Sequence, residues 1–152
     1  MKLIKGNLLE TECYQIAHGC NAQGVMGSGV AKAIREWCPS VYAVYRNAYE
    51  VDGLRLGDVI TANGPNKLVH NIITQDQFGW SGSRFVNYAA VASGLIKIFK
   101  KADSLPAKYS RLAIPEIGCG LGGGDRDVLF SIFEDVEKMY PKVELWVYSL
   151  DN

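Results

Sequence analysis

The chain has 152 residues, 48% of them hydrophobic, and this length suits a single domain that buries its own core. Its 16 Lys and Arg residues balance its 16 Asp and Glu residues, so no overall field favours nucleic acid or an anionic membrane. An anionic ligand would therefore need a local site. The N-terminal segment soon turns polar and no apolar run approaches the ~20 residues of a membrane span, so we expect a cytoplasmic protein without a membrane anchor.

The cysteines and histidines show no metal-binding pattern. The sequence has no CxxC pair and two histidines, His18 and His70, so we expect neither a structural metal nor a cofactor. Because no secretion signal is visible, the thiols are expected to stay reduced. We expect Cys13 and Cys38 to be buried and inert.

Strand-like and helix-like apolar periods alternate along the chain, without an internal repeat. Strands are predicted at Lys2–Lys5, Gln15–Cys20, Asp58–Ala62, Leu68–Thr74, Arg111–Ile114 and Val143–Tyr148. Helices are predicted at Gly29–Trp37, at Ser40–Glu50 after the breaking Pro39, at Phe85–Lys101 and at Asp127–Met139. The first strands precede any helix, which favours a mixed sheet over a strictly parallel one. The prediction is one α/β domain over residues 1–152, a three-layer α/β/α sandwich around a mixed sheet of six strands.

The first glycine-rich loop lies in HGCNAQGVMGSGVAKAIRE, His18–Glu36, between a predicted strand and a predicted helix. Gly24, Gly27 and Gly29 can take positive φ and bring main-chain N–H groups close to a ligand. The first turn of the helix adds unpaired N–H donors and the positive end of its dipole, so a phosphate can bind without a lysine. The loop matches neither a full Rossmann fingerprint nor a P-loop, and the alternative interpretation is a tight turn without a ligand.

A second glycine-rich loop follows the strand that begins IPEIGCGLGGGDRDVLF, Ile114–Phe130, with five glycines in seven residues before the last helix. Two such loops would line one crevice at the C-terminal edge of the sheet, where open α/β folds bind ligands. They would grip a diphosphate from both sides through backbone amides. The alternative is a pair of purely structural glycine turns.

These segments together resemble the macro domain, an ADP-ribose-binding module, over nearly the whole chain. KGNLL at Lys5–Leu9 is similar to its first-strand motif, HGCNAQGVMGSGVA to its ribose and diphosphate loop, and PEIGCGLGGGD to its second phosphate loop. LGDV, NIITQ and RFVNYAAVASGL complete the expected order. The set is most similar to the branch that contains ADP-ribose 1″-phosphate phosphatases and related ADP-ribosyl-ester hydrolases. The resemblance implies a mixed six-stranded sheet between helices.

The resemblance also implies binding roles for individual residues. Asn7 and Leu8 would lie near the adenine and the proximal ribose, although many macro domains have an aspartate where Asn7 stands. Asn21 would hydrogen-bond the distal ribose hydroxyls. The diphosphate and ribose would be wrapped by Gly27, Ser28, Gly29, Val30, Gly118, Cys119, Gly120, Leu121 and Gly122.

Three residues are candidates for the chemistry. His18, at the end of a strand, can act as a general acid or base, or it can be a strand histidine hydrogen-bonded to the backbone. Asp125 can orient water or accept a proton, or it can cap the last helix; both roles can coexist. Related ester hydrolases use a lysine where this chain has Gln75, and glutamine positions water or a sugar hydroxyl but forms no Schiff base.

Two groups of aromatic residues have alternative interpretations. The spacing of Trp37, Tyr42, Tyr45 and Tyr49 favours a helix-packing stripe over a stacking platform. Phe78 and Trp80 stand in a Gly/Ser-rich loop, where they could cover a ligand or pack beneath the loop.

The leading functional prediction is a metal-independent hydrolase that acts on the distal ribose of ADP-ribose and removes a 1″-phosphate or an ester-linked group. The expected partners are ADP-ribose or ADP-ribose 1″-phosphate and, for the second reaction, ADP-ribosylated protein. One alternative is a binding module that recognises ADP-ribose without catalysis, because the same two loops support it equally well. The others are a hydrolase that acts on ADP-ribosylated macromolecules and a different nucleotide enzyme with an adapted pocket.

Overall fold

In the computed structural model, which describes residues 1–77, 85–120 and 122–150, the elements alternate as predicted. The strands are β1 (Lys2–Lys5), β2 (Gln15–Asn21), β3 (Val59–Gly64), β4 (Lys67–Gln75), β5 (Arg111–Pro115) and β6 (Glu144–Ser149). The α-helices are α1 (Gly29–Trp37), α2 (Pro39–Asp52), α3 (Tyr88–Ala102) and α4 (Arg126–Met139), and short 3-10 helices occupy Leu8–Glu10 and Ala107–Tyr109. No helix among the described residues is long and apolar enough to cross a membrane.

The six strands form one sheet in the order β1-β6-β5-β2-β4-β3. The predicted mixed sheet is confirmed, but the predicted reason is wrong. The initial strands β1 and β2 pair in parallel with their neighbours, and the antiparallel pair is the β3–β4 hairpin. Pro65 and Asn66 form its two-residue turn, and Asn66 takes a φ of 57°, a left-handed conformation that asparagine tolerates.

Helices cover both faces of the sheet, which confirms the three layers. Side chains alternate along β2, so Ala17 faces one layer while Ile16 and Cys20 face the other. The Ala17 side holds the largest core cluster, in which Leu95 of α3 and Phe133 of α4 are wholly buried. The opposite face carries smaller clusters under α1 and α2. The helix-packing interpretation of the aromatic stripe fits this face, because Tyr45 is fully buried there.

Three helices begin at residues other than those predicted, and of these α4 begins at Arg126, one residue before the predicted Asp127. Pro39 is the first residue of α2, because the N–H that proline lacks has no partner in the first turn of a helix anyway. The third helix begins at Tyr88 and not at Phe85. Asn87 caps it by accepting a hydrogen bond from the Ala90 N–H, while the extended residue Val86 forms a bridge with Gln75.

The cysteines are free thiols: Cys13 and Cys20 are buried, whereas Cys38 and Cys119 are partly exposed. The expectation that Cys38 is buried is therefore wrong. Cys38 lies at the junction of α1 and α2, where its Sγ is 3.1 Å from the Ser40 Oγ.

Both histidines are buried in the central strands. His70 lies between Gln15 and Thr61, with its Nε2 2.7 Å from the Gln15 Oε1 and its Nδ1 2.8 Å from the Thr61 Oγ1. His18 is fully buried beside Asn71. Burial lowers the pKa of each imidazole from its ordinary 6.5 to about 4, because the charged form loses its hydration.

This burial predicts that acid destabilises the fold before most carboxylates titrate. Between pH 6.5 and pH 4 the unfolded chain takes up protons at His18 and His70 and the folded chain does not. The free energy of unfolding should therefore fall by roughly 3 to 4 kcal/mol from pH 7 to pH 5. Urea unfolding at the two pH values measures this change, and His70→Gln should remove about half of it. An unfolding free energy that is constant over this range would contradict the assignment.

Candidate functional site

A cleft of about 730 Å³ opens at the C-terminal edge of the sheet, between the two glycine-rich loops. Parallel pairing makes β2 and β5 neighbours, so the loops that follow them meet at this edge. The volume is within the range of small-molecule sites. Of the predicted binding residues, those that line it are Asn7, Leu8, Asn21, Gly27, Ser28, Gly29, Val30, Gln75, Gly118, Cys119, Gly120 and Gly122. Leu121 lies outside the described residues, as do Phe78 and Trp80.

The first loop delivers the N-terminus of α1 to the cleft. Ser28 is the N-cap, and its side chain makes no capping hydrogen bond. The first-turn N–H groups therefore have no side-chain partner from Ser28 and can bind an anion, with the help of the helix dipole. Gly29 takes a φ of 59° and Gly24 a φ of 74°, as the sequence allowed, whereas Gly27 does not take a positive φ.

The second loop is folded tightly on itself, and most of its glycines are needed for that packing. Gly118 has a φ of 82°, and its carbonyl accepts a hydrogen bond of 2.8 Å from the Gly124 N–H. A Cβ atom on Gly122 or Gly124 would lie within 2.9 Å of the Gly118 carbonyl oxygen. Gly120 differs, because a Cβ there would meet no atom of the described residues within 4 Å and its φ is not positive. Neither packing nor backbone strain explains this glycine, and it faces the cleft.

Asn21 organises the turn at one end of the cleft. Its Oδ1 accepts a hydrogen bond from the Gln23 N–H at 2.9 Å and lies 3.0 Å from the Tyr45 hydroxyl oxygen. Its Nδ2 donates to the Val25 carbonyl at 2.9 Å. Because an amide group carries two N–H donors, one remains for a ligand. The predicted ribose contact is therefore compatible with a structural role that the sequence did not reveal.

The opposite end of the cleft is formed by the segment after β1 and by the end of β6. The Asn7 Oδ1 caps a 3-10 helix by accepting a hydrogen bond of 2.9 Å from the Leu9 N–H. Leu8 is buried beneath it, and Tyr148 and Ser149 complete the wall. At the other end, the Gln75 Nε2 donates to the Gln77 carbonyl at 2.7 Å. The cleft therefore has two different ends. One is lined by Leu8 and Tyr148, and the other, lined by the side-chain amides of Asn21 and Gln75, is the amide-rich end.

His18 is among the residues that line the cleft, and its side chain is fully buried, neutral and hydrogen-bonded. The Asn71 amide donates through Nδ2 to the Ile60 carbonyl, so its Oδ1 is the acceptor of the 2.5 Å bond from the His18 Nε2. His18 has no exposed surface, and burial lowers its pKa to about 4. The partner is a side chain and not the backbone, contrary to the alternative interpretation. Its role in proton transfer stays a prediction, and this setting favours a supporting role.

Asp125 caps α4, as its alternative interpretation proposed. Its Oδ1 accepts hydrogen bonds from the Asp127 N–H at 2.8 Å and from the Val128 N–H at 3.3 Å. Its own N–H donates to the Tyr88 hydroxyl at 2.9 Å. Asp125 is exposed and does not belong to the lining of the cleft. A catalytic role for Asp125 stays a prediction.

Sequence reasoning missed Thr74 and Glu116 in the cleft wall. Each lies at the C-terminal end of a strand that flanks β2, a position that could have identified it. The Glu116 carboxylate accepts a 2.7 Å hydrogen bond from the Arg126 Nε, and this ion pair spans the second loop. Among the described residues, no group of three or more His, Cys, Asp or Glu side chains is placed to hold a metal ion.

Comparison with known proteins gives consistent matches. The macro domain family model matches residues 17–133. A DNA ADP-ribosyl glycohydrolase of Thermus aquaticus is 26% identical over 98% of this chain, and the solved macrodomain of Thermus aquaticus DarG has a TM-score of 0.82, with 97% of each chain covered. An uncharacterized 17.5 kDa protein of phage T4 is 30% identical, with 88% of each chain covered. The match covers 41% of the length of the Thermus glycohydrolase.

The cap predicts a graded effect of substitutions at Asp125. Asp125→Ala should lower the free energy of unfolding by about 1 kcal/mol, because two N–H groups of α4 lose their acceptor. Asp125→Ser keeps a capping oxygen and should lower the free energy of unfolding by only a few tenths of a kcal/mol. Denaturant unfolding of the two variants measures the difference. Equal stability of Asp125→Ala and the unmodified chain would show that the cap is dispensable.

Proposed function

The chain belongs to the macro domain family, and we propose that its cleft binds ADP-ribose and that the protein hydrolyses the bond at C1″ of the distal ribose. The observation that carries the proposal is the meeting of two glycine-rich loops at one cleft. One loop brings the N-terminus of α1, and the other brings Gly120, whose missing side chain leaves open space. Backbone N–H donors of this kind suit a diphosphate in a chain without net positive charge.

The two ends of the cleft support one orientation of this ligand. The end formed by Leu8 and Tyr148 suits the purine ring, with Asn7 at its edge. The end formed by Asn21 and Gln75 suits the distal ribose, because amide side chains donate to and accept from sugar hydroxyls. The diphosphate then lies between the loops. These assignments agree with the residue roles that the family resemblance implies.

The proposed reaction needs little from ionisable side chains. Water forms a bond to C1″, the bond from C1″ to the carrier atom breaks, and the proton of the water ends on the departing group. The loops hold the diphosphate and the amide groups orient the ribose, so positioning and electrostatic stabilisation supply most of the acceleration. Glu116 is the one carboxylate among the described residues of the cleft wall, and it is paired with Arg126.

The proposal also specifies the carrier, the molecule to which the ADP-ribosyl group is attached before hydrolysis. Relatives in Thermus aquaticus and Mycobacterium tuberculosis are named DNA ADP-ribosyl glycohydrolases, which favours ADP-ribosylated DNA over ADP-ribose 1″-phosphate or ADP-ribosylated protein. The balanced charge of this chain argues for contact with the modified nucleotide and its neighbours, not with a long stretch of backbone.

One observation favours a second function, recognition without turnover. His18 is buried with its Nε2 proton donated to Asn71, and Asp125 is exposed outside the lining of the cleft. His18 lines the cleft without any exposed surface and Asp125 lies outside the lining, so neither predicted proton-transfer group is exposed to a ligand in the cleft. Binding of ADP-ribose is common to both functions, and turnover distinguishes them.

Gly120→Val tests the binding site directly. The valine side chain would occupy space that the protein leaves open, so ADP-ribose affinity should fall at least tenfold while the midpoint of thermal unfolding changes little. Isothermal titration calorimetry and a thermal melt measure the two quantities. An unchanged affinity would remove the second loop from the site, and no binding of ADP-ribose by the unmodified chain at millimolar ligand would overturn the proposal.

Turnover is tested with three substrates in parallel: an ADP-ribosylated single-stranded oligonucleotide, an ADP-ribosylated protein and ADP-ribose 1″-phosphate. Chromatography of the released ADP-ribose should show turnover of the oligonucleotide. His18→Gln keeps a donor for Asn71 but removes the titrating group, and kcat should stay within about threefold. A loss of about 100-fold or more would assign proton transfer to His18. Binding without release from any substrate would establish the second function.

A further inference from the structure

One face of α2 holds the turn at the amide-rich end of the cleft. Residues 42, 45 and 46 share this face because they are three and four positions apart. The Tyr42 hydroxyl and the Arg46 Nη1 each donate to the Gly24 carbonyl at 3.2 Å. The Tyr45 hydroxyl donates to the Asn21 carbonyl at 2.6 Å and lies 3.0 Å from the Asn21 Oδ1. Side chains of α2 thus hold the turn that borders the cleft, although no residue of α2 lines the cleft itself.

The turn lies directly against these side chains. Gly24 has a φ of 74°, and a Cβ atom there would lie 2.6 Å from the Tyr49 ring and 2.8 Å from the Arg46 Nη1. The register of β2 against β4 also shifts between Cys20 and Asn21, so Asn21 leaves the regular ladder where Tyr45 contacts it.

Tyr45 is suited to a fixed and permanent contact. Its side chain has no exposed surface, so its hydroxyl has no competing water. Burial raises the pKa of this phenol, which therefore stays protonated and donates at every working pH. The Gln23 N–H fixes which atom of the Asn21 amide is the acceptor, and the Tyr45 hydroxyl holds the backbone carbonyl of the same residue. The remaining Asn21 N–H is left as the donor available to the cleft.

We infer that Tyr45 is a positioning residue for the distal sugar: through Asn21 it sets the donor that contacts the ribose beyond the diphosphate. This inference rests on the proposed function, because it takes the ligand and its orientation from there. Tyr45 itself does not line the cleft and makes no contact with the ligand. A substitution of Tyr45 should therefore weaken the binding of the distal sugar and leave the binding of the diphosphate and the purine unchanged.

The test compares two ligands that differ in the distal ribose, ADP and ADP-ribose, by calorimetry. Tyr45→Phe should lower the affinity for ADP-ribose about fivefold, which is the effect of one hydrogen bond. It should change the affinity for ADP by less than twofold. Tyr140→Phe is the matched control, since that ring packs on Phe99 far from the turn and should change neither affinity. Equal weakening of both ligands would reduce Tyr45 to general support of the fold and overturn the inference, as would no weakening at all.

A second variant keeps the inference testable if Tyr45→Phe does not fold. Tyr42→Phe removes the longer hydrogen bond, from a less buried tyrosine to the Gly24 carbonyl. It should lower the affinity for ADP-ribose about twofold and leave the affinity for ADP unchanged. A selective loss supports the positioning role of this face, and an equal or absent loss overturns it. If the unmodified chain binds neither ligand, the proposed function fails first. If it binds ADP-ribose and neither variant is selective, the inference alone fails.

Discussion

The parallel pairing of β2 and β5 at the centre of the sheet is the constraint on which the cleft depends. Gln15 and Ile16 lie opposite Leu112 and Ala113, so both strands end at the same edge. Each is followed by a loop and a helix, and the two helices lie on opposite faces of the sheet. The chain therefore leaves the sheet in two directions at one point, which opens a crevice there. The loops would not meet if these strands were separated by another strand.

Much of the fold and of the cleft could be predicted from the sequence, because both follow from local patterns. Strand and helix periods marked all ten elements, and the two glycine clusters marked the loops. Contacts between distant residues could not be predicted in the same way. The sequence allowed His18 a place at the ligand, but its environment depends on Asn71, 53 positions away, whose amide orients its ring. Likewise, the antiparallel hairpin that makes the sheet mixed depends on a two-residue turn at Pro65 and Asn66, which local apolar periods do not show.

The glycines of the second loop illustrate how one residue type answers two different needs. Gly118 is needed for its left-handed backbone, and Gly122 and Gly124 for the close approach of the chain to itself. Gly120 satisfies neither need and leaves room in the cleft. From the sequence these glycines are equivalent. The structural interpretation of the loop is therefore correct for Gly118, Gly122 and Gly124, and the binding interpretation stays a prediction for Gly120.

In the binding mode proposed above, the anion donors of the cleft are backbone amides, and this has a consequence for variation. An N–H group belongs to every residue except proline, so a substitution at Ser28 or Cys119 leaves the donor itself in place. The side chains around the crevice can therefore change while its affinity for a diphosphate is retained. Such a chain could accept a new carrier of the ADP-ribosyl group, or lose turnover, and still bind the nucleotide. Specificity and catalysis are free to diverge around a phosphate site that the backbone conserves.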